Sequence, residues 1–102
     1  MSRRIPLSSA EIESRLRELP GWAYETNALE CWFVFADFSQ AFGFITRAAL
    51  AQEKYDHHAE WWNVYNRVKV RLNTHDAGGV TELDFTLAKL LDAAAVGASK
   101  PV

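Results

Sequence analysis

Cysteine occurs once in this 102-residue chain, at Cys31, so no internal disulfide can staple the fold, and a reducing, cytoplasmic setting is the simplest expectation. No apolar run is long enough to cross a bilayer. The opening Met1 to Pro6 carries Arg3 and Arg4 but no apolar stretch behind them, and so lacks the form of a secretory signal. A basic excess is also missing. Eleven Lys and Arg face 13 Asp and Glu, for a net charge of -2, which argues against non-specific nucleic-acid binding. There is no internal repeat and no low-complexity segment. No Walker or dinucleotide fingerprint surrounds Gly78-Gly79, which reads as a plain turn. What remains is the composition of one soluble domain spanning residues 1–102, with a loose arm over 1–6. Its four tryptophans leave aromatic surface available to a ligand or partner.

The periodicities predict the order helix, two strands, helix, two strands, helix. Ser8-Ser9-Ala10-Glu11 has the capping-box form, and Leu7 can pack on Ile12 as a hydrophobic staple. Ile12, Leu16 and Leu19 follow at helical spacing until Pro20-Gly21. Trp22 to Glu25 and Leu29 to Phe35 read as strands joined by a turn at Thr26-Asn27-Ala28. Asp37 or Ser39 caps a second helix to about Asp56, with Phe38, Phe42, Ile45 and Ala49 as its expected buried stripe. Gly43 in its middle suggests close packing, since glycine there costs roughly 1 kcal/mol against alanine. Trp62 to Tyr65 and Val68 to Thr74 read as a hairpin across Asn66-Arg67, leaving His75 at a strand end. Thr81-Glu82-Leu83-Asp84 opens a third helix, with Leu83, Leu87, Leu90 and Ala94 in line. The expected fold class is α+β, a four-stranded antiparallel sheet covered on one face by three helices.

Histidine is scarce, and its distribution is the informative feature. All three copies, His57, His58 and His75, lie in one short block among carboxylates and indoles. Imidazole is the side chain suited to proton transfer near neutral pH. His57 and His58 fall where the second helix ends, with Glu53 one turn earlier, placed to orient a ring. Taken alone, the pair reads as a helix cap; the third histidine shifts the balance towards a site. Zinc is the competing reading, but adjacent histidines point apart, no cysteine lies near and no His-x-x-x-His pair exists. Trp61 is either a stacking surface or core, because one of Trp61 and Trp62 must face inward. Asp84 by itself reads as a helix-start residue.

Read together, Glu53-Lys54-x-x-His57-His58-x-Glu60-Trp61-x-Asn63-Val64-Tyr65-Asn66, then Thr74-His75, Gly79-Val80-Thr81 and Asp84, resemble the pterin-4a-carbinolamine dehydratase family. The likeness extends upstream through Asp37-Phe38 and Ala41-Phe42-Gly43-Phe44 and covers roughly Trp22 to Leu91. The resemblance implies dehydration of a 4a-hydroxytetrahydropterin without metal or organic cofactor. It implies His57 and His75 as acid–base residues and His58 as a residue tied to substrate binding. It implies Glu53, Asp56, Trp61 and Asp84 as residues that line or support the pterin pocket. It also implies a homodimer or homotetramer and a place beside an aromatic amino acid hydroxylase. One departure stands out: Ala59 occupies a position that is usually proline, and the loss of a fixed φ is expected to loosen the histidine pair. The alternative on the same fold is a non-catalytic dimerisation module or transcriptional coactivator. Association is expected through a strand edge or through the outer face of the second helix, where Phe44 lies off the Phe42-Ile45-Ala49 line.

Overall fold

The computed structural model describes residues 5–100. The expected arm therefore lies, for residues 1–4, outside the described residues. The elements are α1 (Ser9–Leu16), β1 (Ala23–Glu25), β2 (Ala28–Val34), α2 (Phe38–Tyr55), β3 (Glu60–Val64), β4 (Arg67–Leu72), a short 3-10 turn (His75–Ala77) and α3 (Glu82–Ala94). The strands form one antiparallel sheet in the order β1-β2-β4-β3. Leu29, Cys31 and Phe33 of β2 and Val68, Val70 and Leu72 of β4 point to one face. There they meet Ile12, Ala41, Phe44, Ala48, Leu87, Ala88 and Leu91 from the helices. The expected fold class is the one observed.

Local chemistry explains the boundaries. Ser8 caps α1 with a complete capping box on Glu11. Thr26 and Asn27 both take positive φ, the geometry of a tight two-residue hairpin turn. The second hairpin differs from expectation. β3 begins at Glu60, and the turn is Tyr65-Asn66, with Tyr65 at φ 52°. Side-chain bonds hold it there: Asn66 Nδ2 donates to Phe35 O at 2.9 Å, and Asn63 Nδ2 donates to the carbonyls of Tyr65 and Arg67. This register sets Trp61 opposite Val70, on the helical face, and Trp62 opposite Lys69, on the open face. β4 ends at Leu72, short of Thr74, so His75 starts the 3-10 turn beyond the strand and does not end the strand.

The stripe of α2 is also corrected. Its buried residues are Ala41, Phe44, Ala48 and Gln52, whereas Phe38 and Phe42 are about half exposed, at 48% and 52%. Phe44 is fully buried, 5.0 Å from Phe33, 5.2 Å from Phe35 and 5.8 Å from Trp61 between ring centroids. An aromatic cluster rising from the sheet thus selects one aromatic of the helix, and small alanines on either side let the helix approach. Phe44 is consequently not an outer-face residue. Gly43 has a simple role: a Cβ there would meet Arg47 Nη1 at 3.2 Å, and that guanidinium crosses to bond the Ala94 carbonyl at the end of α3.

Candidate active site

Helix α2 ends in a left-handed residue, Asp56, with φ 49° and ψ 46°. The Asp56 amide donates to Glu53 O and the His57 amide to Gln52 O, the paired bonds of a Schellman cap. The chain therefore reverses before the histidines. The reversal separates what helical spacing had joined: Glu53 does not meet His57. Its Oε1 lies 2.9 Å from Nε2 of His58, a pair on the surface with both side chains more than half exposed. Asp56 itself is exposed, and its conformation serves the cap.

His57 turns inward. Its Nε2 sits 2.5 Å from Asp84 Oδ1, with His57 6% and Asp84 0% exposed. Oδ2 of Asp84 accepts from the Thr74 hydroxyl and from the Thr81 amide, each at 2.9 Å. Thr74 and Thr81, both fully buried, also bond to each other at 2.8 Å. One carboxylate thus closes the capping box of α3 and holds a histidine from just beyond the end of α2. A buried carboxylate is stable only when its oxygens are satisfied, and this one takes three donors. Because an ionised carboxylate only accepts, Nε2 of His57 carries the hydrogen of this bond. No hydrogen bond among the described residues uses its Nδ1.

His75 stands at the rim, 76% exposed, with Nε2 3.8 Å from Glu60 Oε2. The same oxygen lies 3.5 Å from Arg71, which also pairs with Glu30. The three histidines have three separate carboxylate partners, and the link between two of them is through the chain: Thr74, next to His75, bonds the partner of His57. Trp61 is half-buried, its ring edge on Phe44 and its indole N–H directed to Gln52 Oε1 at 3.3 Å. Thr74, Thr81, Glu60 and Gln52 were not singled out as site residues from the sequence. Glu60, Thr74 and Thr81 stood in the motif that carries the family resemblance without a role of their own, and Gln52 gave no signal, because a side chain that acts through a neighbour shows no periodicity. No group of three or more His, Cys, Asp or Glu side chains among the described residues is arranged to hold a metal ion. A cavity of about 590 Å³ lies elsewhere, between Trp22, Trp32 and Lys100, and none of the three histidines lines it.

The model of the pterin 4 alpha carbinolamine dehydratase family matches residues 5–94, nearly the whole chain. The chain belongs to this family. A Rhizobium johnstonii protein named for pterin-4-alpha-carbinolamine dehydratase is 56% identical over 91 residues, covering 87% of this chain and 90% of that one. A relative from Solibacter usitatus with the same name is 54% identical, covering 89% and 96%. Among solved structures, the "transcriptional coactivator/pterin dehydratase" of Brucella melitensis superposes with a TM-score of 0.86 at 49% identity, covering 88% and 98%. The family name denotes a hydro-lyase acting on a pterin, which agrees with a site built from histidines and carboxylates. None of the helices among the described residues is long and apolar enough to cross a membrane.

Proposed function

We propose that the chain dehydrates a 4a-hydroxytetrahydropterin to the quinonoid dihydropterin and water, by acid–base catalysis from its histidines and without metal or organic cofactor. The observation that carries this reading is the buried Asp84 carboxylate held on Nε2 of His57. The reaction breaks one carbon–oxygen bond. A proton must reach the departing hydroxyl, so that it leaves as water. The lone pair of the adjacent ring nitrogen forms the new carbon–nitrogen double bond, and the proton on that nitrogen passes to a base. Asp84 commits one nitrogen of His57 and thereby assigns proton exchange to the other, Nδ1. His75, beside Glu60 at the rim, is the second exchanging group. His58, on Glu53, serves substrate binding, and Asp56, Trp61 and Asp84 line or support the pocket as the family resemblance implies. The setting that fits this chemistry is cytoplasmic recycling of a tetrahydrobiopterin-type cofactor beside an aromatic amino acid hydroxylase.

The test is a dehydration assay with 4a-hydroxytetrahydropterin generated in place. His57→Ala and His75→Ala are each expected to slow turnover about tenfold or more with far-UV circular dichroism unchanged. His58→Ala is expected to act mainly on substrate affinity. Unchanged turnover in both of the first two variants removes the acid–base assignment.

A second role, protein association, is favoured by one exposed feature. Phe38 and Phe42 meet as a tilted pair, 5.6 Å between ring centroids, on the outer side of α2, and Trp62 and Val64 are exposed on the edge strand β3. These surfaces support a homodimer or homotetramer. The Brucella relative, named a transcriptional coactivator as well as a pterin dehydratase, makes a heterologous partner at the same face the alternative occupant.

A further inference from the structure

Gln52 is a buried polar residue inside a hydrophobic stripe, 5% exposed, and both polar atoms of its side chain are hydrogen-bonded. Its Nε2 donates to Ala48 O at 3.1 Å, which locks the side chain along its own helix. Its backbone carbonyl accepts from the His57 amide at 3.1 Å. Its Oε1 accepts from the Ala59 amide at 2.7 Å and from the Trp61 indole at 3.3 Å. One residue therefore holds the chain immediately before His57 and immediately after His58. Two of these contacts need particular neighbours. The 2.7 Å bond exists only because residue 59 has an amide hydrogen, which a proline would lack.

We propose that Gln52 is a positioning residue for the histidine pair, its side-chain oxygen setting the backbone after His58 where a proline ring at position 59 would otherwise set it. Resting as it does on the acid–base reading above, the proposal adds the means by which His57 and His58 are aimed. The expected loosening by Ala59 is thereby replaced by a different restraint, a hydrogen bond to a buried amide instead of a fixed φ. Reacting groups displaced by as little as about 1 Å can lose about a hundredfold in rate, so such a restraint matters to chemistry as well as to folding. φ at Ala59 is not positive, but the space along its N–H is held by Gln52 Oε1 at 2.7 Å, so a proline ring fits there only once residue 52 has given up that oxygen.

The proposal is tested by a double-mutant cycle between Gln52→Met and Ala59→Pro. Methionine preserves length and approximate volume and removes the acceptor. Gln52→Met and Ala59→Pro are each expected to lower kcat about tenfold, the first by removing the acceptor and the second by removing the donor and crowding the Gln52 oxygen, and the double variant to return to within about threefold of wild type. Hydrogen exchange gives a readout apart from activity: the Ala59 amide should exchange about tenfold faster in Gln52→Met, while the Val70 amide in the sheet centre keeps its protection. A purely structural Gln52 would lower protection throughout and would not be rescued by proline. His57→Ala runs in the same assay. If that variant keeps wild-type turnover, the acid–base reading falls, whatever Gln52 does. If it is slow while Gln52→Met keeps wild-type turnover and Ala59 exchange, the positioning role falls. Should Gln52→Met fail to fold, the double variant decides: recovery of fold and turnover with the proline supports the role, and anything less overturns it.

Discussion

Asp84 and His57 stand 27 positions apart in the chain and 2.5 Å apart in space, the carboxylate from the first turn of α3 and the ring from just beyond the end of α2. Both are buried, and the same carboxylate satisfies Thr74 and Thr81. Under the acid–base reading proposed above, stability and chemistry share one side chain.

Asp84→Asn separates these roles poorly, and that is the prediction. An amide has one acceptor oxygen, while three donors converge on this position. At least one donor loses its partner, at a cost of about 1–3 kcal/mol in urea unfolding. Turnover is expected to drop about tenfold or more, because an amide no longer dictates which nitrogen of His57 holds the hydrogen. A variant with wild-type stability and turnover would remove Asp84 from both roles.

Asp56 adopts the left-handed conformation at the end of α2. Asp56→Gly should be as stable as the wild type or more so, since glycine enters this region freely. Asp56→Val should lose about 1–2 kcal/mol, because a β-branched side chain is opposed there. Thermal denaturation of the two variants gives the order. Equal stabilities would show that the cap does not depend on this residue.

Cys31 is 2% exposed, and burial pushes its thiol up to about 12, with Lys100 opposing slightly and Asp92 adding to the rise. The native state holds this proton at pH values where the unfolded chain, with a thiol near 9, has released it. The contribution to stability is thus whole below about pH 9 and is lost as pH rises towards about 12. At pH 8, iodoacetamide should label the unfolded chain quickly and the native protein only as fast as it opens. Rapid labelling of the native protein would place the thiol at the surface.

Light scattering at micromolar concentration should give a mass at least twice 11.5 kDa. If the outer face of α2 carries the contact, Phe42→Lys should yield smaller species with dehydration largely retained. Phe44→Lys is no test of that face, since its fully buried site would have to hold a charge, and the expected result is an unfolded chain. An unchanged mass in Phe42→Lys would move the contact to the β3 edge.

The element order, the capping boxes at Ser8 and Thr81 and the inward alternation of Leu29, Cys31 and Phe33 were legible in the residues, because each depends on neighbours a few positions away. The single block that holds all the histidines was equally legible. Helical periodicity could not say which aromatic of α2 would be buried. Phe42 and Phe44 are equally apolar, and the choice is made by Phe33, Phe35 and Trp61 on the other layer. Spacing paired Glu53 with His57, yet the left-handed turn at Asp56 hands Glu53 to His58 and leaves His57 for Asp84. Which groups are present was decided by the sequence alone. Which of them touch was decided only by the tertiary structure, because hydrogen bonds between elements depend on where the packed layers bring distant segments together.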